Sequence, residues 1–341
     1  MTPVAASTAR STPKPRFWRS RAARLGGSAL VLALLLIFVP FNQVWSAIER
    51  IPLSLSLGLL FVYLGLHLLG VVKWRLLINL AGADLTFGQA VRCYYGGLFG
   101  NVFLPSLVGG DVVRAGMAFS FSRAKAAVVL GSLIDRVEDV IGLGGVAAVG
   151  AILLPRSLDP QSRKVFWAFG GALAVAGILG LVLLFATPAR KFPFKVRRIM
   201  VKLRRAGRAM YGRPGRLLLC LGLGVILQLC QVAINAWLGV ASGLHVAFGV
   251  WLFAWPLAKL SALLPLTQGG IGVREVALVG LLAPFGAPKV LTFAAGLVFE
   301  AITTIGGLIA GGVAFVVGRI ISFQSKPFAG LPPSQETAPL K

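Results

Sequence analysis

The chain has 341 residues, of which 57% are hydrophobic and only 13% are charged, and its mean hydropathy is +0.85. Soluble domains carry about 25% charged residues, so this composition excludes an ordinary soluble fold and favours a protein with several membrane-spanning helices. Lys and Arg number 34 against 10 Asp and Glu, which gives a formal net charge of +24.

The basic residues are clustered beside apolar segments. Six lie between Arg10 and Arg24, and 11 lie between Arg190 and Arg216. Such clusters are typical of cytoplasmic segments next to membrane spans, and no folded module that would present the charge to DNA or RNA is recognisable. We therefore expect no nucleic-acid partner, and we expect a multi-pass protein of a bacterial cytoplasmic membrane with its N-terminus in the cytoplasm.

Apolar segments follow one another along most of the chain. Residues 1–24 form a basic tail that is expected to be disordered because it is rich in Pro, Ser and Thr. Six later segments exceed or approach the roughly 20 residues that a spanning helix needs. They lie at about 25–41, 52–72, 126–154, 165–187, 217–241 and 289–318. The expected fold is all-α, with one transmembrane domain over 25–321 and a disordered tail over 322–341.

Two further apolar stretches, at about 88–122 and 248–286, are interrupted by Gly, Pro and charged residues. The interruptions match without a gap, because residues 104–114 (LPSLVGGDVVR) and 264–274 (LPLTQGGIGVR) share the pattern L-P-x-x-x-G-G-x-x-V-R at an offset of 160 residues. We interpret the match as an internal duplication. The first repeat covers about 52–187 and the second about 217–318, and the basic cytoplasmic loop 188–216 separates them.

The charge distribution predicts how the two copies lie in the membrane. Because both basic clusters are expected to be cytoplasmic, an even number of crossings must separate them. This holds if the first interrupted stretch enters from the cytoplasm and returns to it. The second stretch then enters from the outside, and the last span returns Arg319 to the cytoplasm. Elements that enter from opposite faces are typical of inverted-repeat transporters, whose broken helices meet near the midplane.

Ionisable side chains near the two breaks are the candidate site, since such residues are costly in hydrocarbon and usually functional. An arginine follows each Gly-Gly pair, and a guanidinium donates in a planar fork that matches two phosphate oxygens. Backbone N–H groups at the start of the following helix would add an anion site. The predicted lipid-headgroup residues are Gly109, Gly110, Arg114, Gly269, Gly270 and Arg274.

A second group of charged residues is expected to act as counter-ions or gates: Asp111, Asp135, Arg136, Glu275 and Glu300. Asp135 and Glu300 should face the protein interior as equivalents in the two repeats. Since residues three or four apart share a helix face, Glu138 and Asp139 would join Asp135 in an acidic stripe, with Arg136 turned aside. The carboxylates are either permanent structural partners of the arginines or partners that an anion displaces. Lys259 either belongs to the same site or extends its ammonium to the membrane surface.

The ordered motifs resemble a known family. They are residues 101–106 (NVFLPS) with 109–114 (GGDVVR), then Asp135-Arg136, and then 264–265 (LP) with 269–275 (GGIGVRE). Over about 25–320 they resemble the lysylphosphatidylglycerol synthase transmembrane family, also called the flippase-like domain family. The resemblance implies movement of modified phospholipids between leaflets, with relatives beside polyprenyl-lipid, hopanoid and glycolipid pathways. About twenty residues follow the last predicted span, so we expect no aminoacyl-transferase domain and no synthase activity.

Together these features predict a non-enzymatic translocator for an anionic phospholipid or another phosphate-bearing lipid, such as a polyprenyl-linked one. No Walker A loop, zinc-protease helix or Ser-His-Asp set is recognisable, so we expect no catalytic residue, metal or cofactor. Cys93, Cys220 and Cys230 lack metal-ligand spacing. The alternatives are a membrane transferase that uses Asp135 or Glu300 as general base, or an accessory partner of a lipid-modifying enzyme. The sequence predicts no particular oligomeric state.

Overall fold

The computed structural model describes residues 41–104, 109–154, 201, 204, 207–208, 212–261 and 272–324. Over these ranges the regular structure is helical and no strand is present, so the predicted all-α class is confirmed there. The helices of the longer ranges are α1 (Phe41–Glu49), α2 (Leu53–Leu80), α3 (Phe87–Phe103), α4 (Gly109–Phe121), α5 (Lys125–Leu153), α6 (Pro214–Ser242), α7 (Phe248–Ser261), α8 (Val273–Leu282) and α9 (Lys289–Gln324), with a 3-10 turn at Ala283–Phe285.

Four of the predicted spans coincide with the long helices α2, α5, α6 and α9. By length and composition, α2, α6 and residues Lys289–Ile321 of α9 could cross a membrane. Helix α5 has 29 residues, about 43 Å at 1.5 Å per residue, but four charged residues lie near its middle. The predicted spans 25–41, apart from Phe41, and 165–187 lie outside the described residues, as do residues 1–24, residues 325–341 and most of the basic segment 188–216. Helix α9 continues to Gln324, so the predicted start of the C-terminal tail at residue 322 is three residues too early.

Polar and apolar side chains are distributed in the reverse of a soluble protein. Large apolar side chains such as Phe61 and Phe315 are exposed on the outer faces of α2 and α9, whereas Lys73, Arg114 and Asp135 are buried between helices. Extended apolar surface of this kind is rare on soluble monomers, and charged residues within transmembrane segments usually face the bundle interior. Together with the three apolar helices, this distribution identifies a membrane-embedded bundle.

The first interrupted stretch forms a helical hairpin between α2 and α5. Helices α3 and α4 run antiparallel, because a Cβ placed at Gly100 would lie 2.9 Å from Val113 Cγ2. Both ends of the hairpin lie at the same end of the bundle. There a Cβ at Gly131, near the start of α5, would lie 2.7 Å from the Cα of Ile78, near the end of α2. The end of α2 and the start of α5, which the hairpin connects, therefore lie at the same end of the bundle.

The second interrupted stretch occupies the equivalent position between α6 and α9. The hydroxyl of Ser242, the last residue of α6, donates to the Leu291 carbonyl at the start of α9 over 3.4 Å, so these two ends also meet. Each hairpin is reached through a left-handed glycine, Gly82 (φ 96°) or Gly243 (φ 99°), five residues before α3 or α7. Only glycine adopts this conformation without strain, which fixes the turn in both halves.

The order of long helix, hairpin and long helix thus occurs twice, as α2–α5 and α6–α9. The packing partners are exchanged in the same way, because α3 packs on α9 while its counterpart α7 packs on α5. Helices α2 and α6 pack against each other in opposite directions. A Cβ at Gly224 would lie 3.3 Å from Lys73 Nζ, whereas one at Gly243, just after α6, would lie 3.7 Å from Arg50, just before α2.

Candidate functional site

Arg114, one turn into α4, is held by two carboxylates and two aromatic rings. Its Nη2 lies 2.9 Å from Asp135 Oδ2 on α5 and 3.0 Å from Asp111 Oδ1 on its own helix. Its Cζ lies 4.8 Å from the ring centre of Trp74 and 5.0 Å from that of Tyr94, at cation–π distance. The first break arginine is therefore buried with two carboxylates at its Nη2, while its Nε has no hydrogen-bond partner among the described residues.

Lys73 on α2 completes this group, and sequence reasoning did not find it. Its Nζ lies 3.0 Å from Asp135 Oδ1, 2.7 Å from Asp139 Oδ1 and 3.9 Å from Glu138 Oε2, and the residue is 1% exposed. The predicted span ended at residue 72, so Lys73 counted as a flanking charge. The apolar residues 76–78 (LLI), which continue beyond it, were the signal that the helix extends to Leu80.

Arg136 lies on α5 and connects this helix to α4 through Asp111. Its Nη2 donates to Asp111 Oδ1 over 2.5 Å, its Nε contacts the other Asp111 oxygen, and its Nη1 lies 3.8 Å from Asp139 Oδ2. The side chain is 40% exposed. Because Lys73 reaches all three predicted stripe residues, they share one face of α5, and Arg136 is turned aside as expected. We call the seven residues Lys73, Asp111, Arg114, Asp135, Arg136, Glu138 and Asp139 the first charged cluster.

The second break arginine, Arg274 on α8, has a smaller set of partners. Its Nη2 lies 2.6 Å from Glu275 Oε1 and 2.5 Å from Glu300 Oε2 on α9, and its Cζ lies 5.4 Å from the Trp255 ring and 5.1 Å from the Phe299 ring. The other oxygen of Glu275 accepts the Gly272 N–H over 2.7 Å. We call Arg274, Glu275 and Glu300 the second charged cluster.

The two clusters follow one plan. Each break arginine pairs with a carboxylate of the long helix that follows it, Asp135 or Glu300. Each also lies over an aromatic ring of the preceding hairpin arm, Tyr94 or Trp255, and these rings are 161 residues apart, like the first residues of α3 and α7. The clusters differ in the number of their cations. Across the described part of the chain, no second cation forms an ion pair with Glu275 or Glu300.

The glycines of the first break serve close helix packing. The Gly110 N–H donates to Asn101 Oδ1 over 2.8 Å, so the prediction that this N–H is free to bind an anion does not hold in this structure. A Cβ at Gly97 would lie 2.8 Å from the Gly110 carbonyl, and one at Gly109 would lie 2.5 Å from Leu104 Cβ. Gly269 and Gly270 lie outside the described residues.

Replacing Gly110 by Ala is expected to lower the stability of the protein by about 1–3 kcal/mol, the usual cost of overpacking. The new Cβ would overlap the Gly97 carbonyl and the Asn101 side chain. Thermal unfolding in mild detergent measures the effect. Gly116→Ala on the same helix is the matched control, because nothing lies within 4 Å of a Cβ there, and it should gain up to about 1 kcal/mol. Equal behaviour of the two variants would contradict the packing role.

Lys259 on α7 points into the protein. Its Nζ donates to Gln228 Oε1 over 2.9 Å and to Gln231 Oε1 over 2.5 Å, both on α6, and Gln228 is 4% exposed. The alternative in which its ammonium reaches the membrane surface is therefore wrong. Lys259 interacts electrostatically with Asp139 and Arg136 of the first cluster and with Arg274 of the second. It forms no ion pair with any carboxylate that the structure describes.

His67 on α2 occupies the position equivalent to Gln228, 161 residues earlier. Its ring packs edge-on against Tyr63, with centroids 4.4 Å apart, and neither ring nitrogen has a hydrogen-bond partner. It interacts electrostatically with Lys259 and Arg114. The polar centre of the bundle thus combines two engaged arginines with an ammonium that only amides hold, which suits the binding of an anionic group.

Comparison with known proteins agrees with this picture of a membrane domain. The family model described as the lysylphosphatidylglycerol synthase TM region matches residues 22–311. The glycosyltransferase AglD of Haloferax volcanii is 25% identical to this chain, in an alignment that covers 87% of this chain and 55% of that protein. The chain therefore spans about half the length of this curated relative.

Proposed function

Because the chain belongs to the family of lysylphosphatidylglycerol synthase transmembrane regions, we propose that it is a membrane lipid translocator. It moves an anionic phospholipid or another phosphate-bearing lipid between the leaflets of a bacterial cytoplasmic membrane. The observation that carries the proposal is the pair of arginines, one in each hairpin, each held by a carboxylate of the next long helix. Arg114 is buried, and the side chain of Arg274 is 13% exposed. Such pairs are suited to exchanging one anionic partner for another.

In the proposed mechanism the headgroup phosphate displaces the carboxylates from Arg114 and Arg274. A phosphate offers two oxygens to the planar guanidinium fork, as a carboxylate does, so the arginine loses no hydrogen bond in the exchange. Lys259, with only amide partners, adds an ammonium donor near both clusters. In this proposal the headgroup lies beside Gly109 and Gly110, while the acyl or prenyl tails stay in the bilayer.

Alternating access would follow from two inverted repeats that rock against each other. The antiparallel contact of α2 with α6 and the exchange of packing partners between the halves support a pseudo-two-fold axis in the membrane plane. In this arrangement six full spans accompany the two hairpins. The N-terminus and the basic segment 188–216 lie in the cytoplasm, where Lys and Arg are enriched.

Replacing Arg114 or Arg274 by Lys is expected to slow lipid transport about tenfold to a hundredfold, although the charge is kept. A Lys cannot form the two parallel hydrogen bonds of the guanidinium, and a hydrogen bond to a charged group contributes about 1.5–3 kcal/mol. The assay reconstitutes the protein in vesicles that contain a fluorescent phosphatidylglycerol analogue and follows its loss from the outer leaflet by chemical quenching.

Arg319→Lys, at an exposed position near the end of α9, is the control for a general effect of the substitution. Full transport by both Lys variants would contradict the planar clamp. Full transport by the Ala variants of both arginines would show that neither arginine is needed for transport.

A second candidate function is a lipid-modifying transferase, or an accessory subunit of one, which the similarity to a protein named glycosyltransferase favours. Asp135 or Glu300 would then act as general base on a lipid-linked substrate. Each is paired with a break arginine, which stabilises the ionised carboxylate but occupies its oxygens. Loss of turnover in both Asp135→Asn and Glu300→Gln would support catalysis. Co-purification with an enzyme, without transport by the reconstituted protein, would support the accessory role.

A further inference from the structure

The first charged cluster contains four carboxylates but only three cations. Asp111, Asp135 and Asp139 each contact two of the cations. The pairs are Asp111 with Arg114 and Arg136, Asp135 with Arg114 and Lys73, and Asp139 with Lys73 and Arg136. These three carboxylates account for all the charge that the cations offer, so the fourth, Glu138, is in excess.

Glu138 is also the least well partnered of the four. Its nearest cation is Lys73, 3.9 Å away, and its Oε2 has no hydrogen-bond partner. Its side chain is 9% exposed. An ionised carboxylate in such a position is costly, because burial removes its hydration and no cation of the described residues lies within hydrogen-bond distance of it. A proton on Glu138 would remove this cost without moving any helix.

The groups that face Glu138 from the surrounding helices do not supply the missing charge. On its own helix the neighbours are Asp135 and Asp139, which are like charges. Helix α2 contributes Lys73, already paired with both of them. Helix α6 contributes the Cys220 thiol, which interacts electrostatically with Glu138. Helix α7 contributes Lys259, which interacts electrostatically with Asp139 but donates to the amide oxygens of Gln228 and Gln231.

We propose that Glu138 is a proton-binding site, and that proton uptake there accompanies binding of the anionic headgroup at Arg114; the second part rests on the proposed transport function. A proton from water adds to Oε2 and converts the carboxylate to a neutral acid. Lys73 then stays with Asp135 and Asp139. Asp135 shares its charge between Lys73 and Arg114, which makes Arg114 easier to release to the phosphate.

The reverse step follows from the same geometry. When Glu138 loses its proton, it attracts Lys73 away from Asp135. Asp135 then pairs with Arg114 alone and displaces the headgroup from that arginine. By linkage, a proton that favours headgroup binding is itself bound more tightly when the headgroup is present. The arrangement therefore couples one proton to each anionic headgroup that is carried.

The proton site is tested on the purified protein without any lipid substrate, by infrared difference spectra between acid and alkaline pH. A carbonyl band of a buried protonated carboxyl group should disappear at alkaline pH. It should be missing from Glu138→Gln and unchanged in the control Glu49→Gln, whose carboxylate is exposed. Size-exclusion profiles check that both variants are folded. A band that persists in Glu138→Gln, or that is absent from the unmodified protein, overturns the proposal.

The coupling is tested in vesicles with the fluorescent phosphatidylglycerol analogue and an imposed pH gradient. Transport from the acidic side should be several-fold faster than transport from the alkaline side, and Glu138→Gln should transport at one rate in both directions. If the unmodified protein and Glu138→Gln respond alike to the gradient, coupling through Glu138 is refuted while lipid transport stands. If the unmodified protein moves no lipid, the proposed function fails, and the infrared result alone decides the proton site.

Discussion

Replacing Asp135 by Asn is expected to lower the free energy of unfolding by about 1.5–3 kcal/mol, the usual contribution of a hydrogen bond to a charged group, because Lys73 keeps Asp139 and Arg114 keeps Asp111. Asp135 is 4% exposed and is shared by Lys73 and Arg114. An amide cannot balance either charge, so both cations lose a counter-ion at once. Thermal unfolding of the purified protein in mild detergent measures the loss.

Asp84→Asn is the matched control for this substitution. Asp84 is exposed in the turn before α3 and has a φ of 54°, which Asn tolerates, so we expect no change. The double variant Asp135→Asn with Lys73→Met should lose less stability than the sum of the two single variants, because the Lys73–Asp135 ion pair can be lost only once. A double-mutant cycle without coupling between residues 73 and 135 would show that their ion pair does not contribute to stability.

Arg274→Met is expected to be more damaging, at about 3–5 kcal/mol. It leaves Glu275 and Glu300 without a cation among the described residues, and Glu275 is 2% exposed. The equivalent change in the first cluster, Arg114→Met, should cost only about 1–3 kcal/mol. There Asp111 retains Arg136, and Asp135 retains Lys73.

The difference between these two arginine variants measures the asymmetry of the clusters directly. Both arginines follow a Gly-Gly pair and are at most slightly exposed, and both are replaced by the same apolar side chain. The difference between their unfolding midpoints, recorded in the same detergent, therefore reports how many cations remain in each cluster to pair with its carboxylates. If Arg114→Met were the more damaging of the two, the additional ion pairs of Lys73 and Arg136 would not be stabilising the first hairpin.

The long helices and the position of the candidate site were accessible from the sequence. Apolar runs of 20 residues or more report a spanning helix whatever its neighbours are, which is why α2, α5, α6 and α9 were expected near their observed positions. The copied L-P-x-x-x-G-G-x-x-V-R pattern marked both breaks. Asp135 and Glu300 were recognisable as partners of the arginines because each lies at a similar distance beyond a copy.

The contacts that define the site depend on helix packing, and the local pattern does not encode them. Lys73 could not be assigned to the cluster, because it lies near one end of an apolar run where flanking charges are common. The rings of Tyr94 and Trp255 lie under the arginines through the antiparallel packing of each hairpin. That the Gly110 N–H is already bound to Asn101 depends on the distance between α3 and α4, which glycines at residues 97 and 110 set together.

The unequal number of cations in the two clusters also affects the populations of the two states that alternating access requires. Hairpins related by a perfect two-fold axis would open with equal ease, and inward-open and outward-open molecules would be equally abundant. The ion pair of Arg136 with Asp111 is one that only the first hairpin must break, and about 1.4 kcal/mol changes a population ratio tenfold. Under the proposed mechanism, the resting protein therefore keeps the first hairpin closed, and the state in which the second hairpin opens predominates.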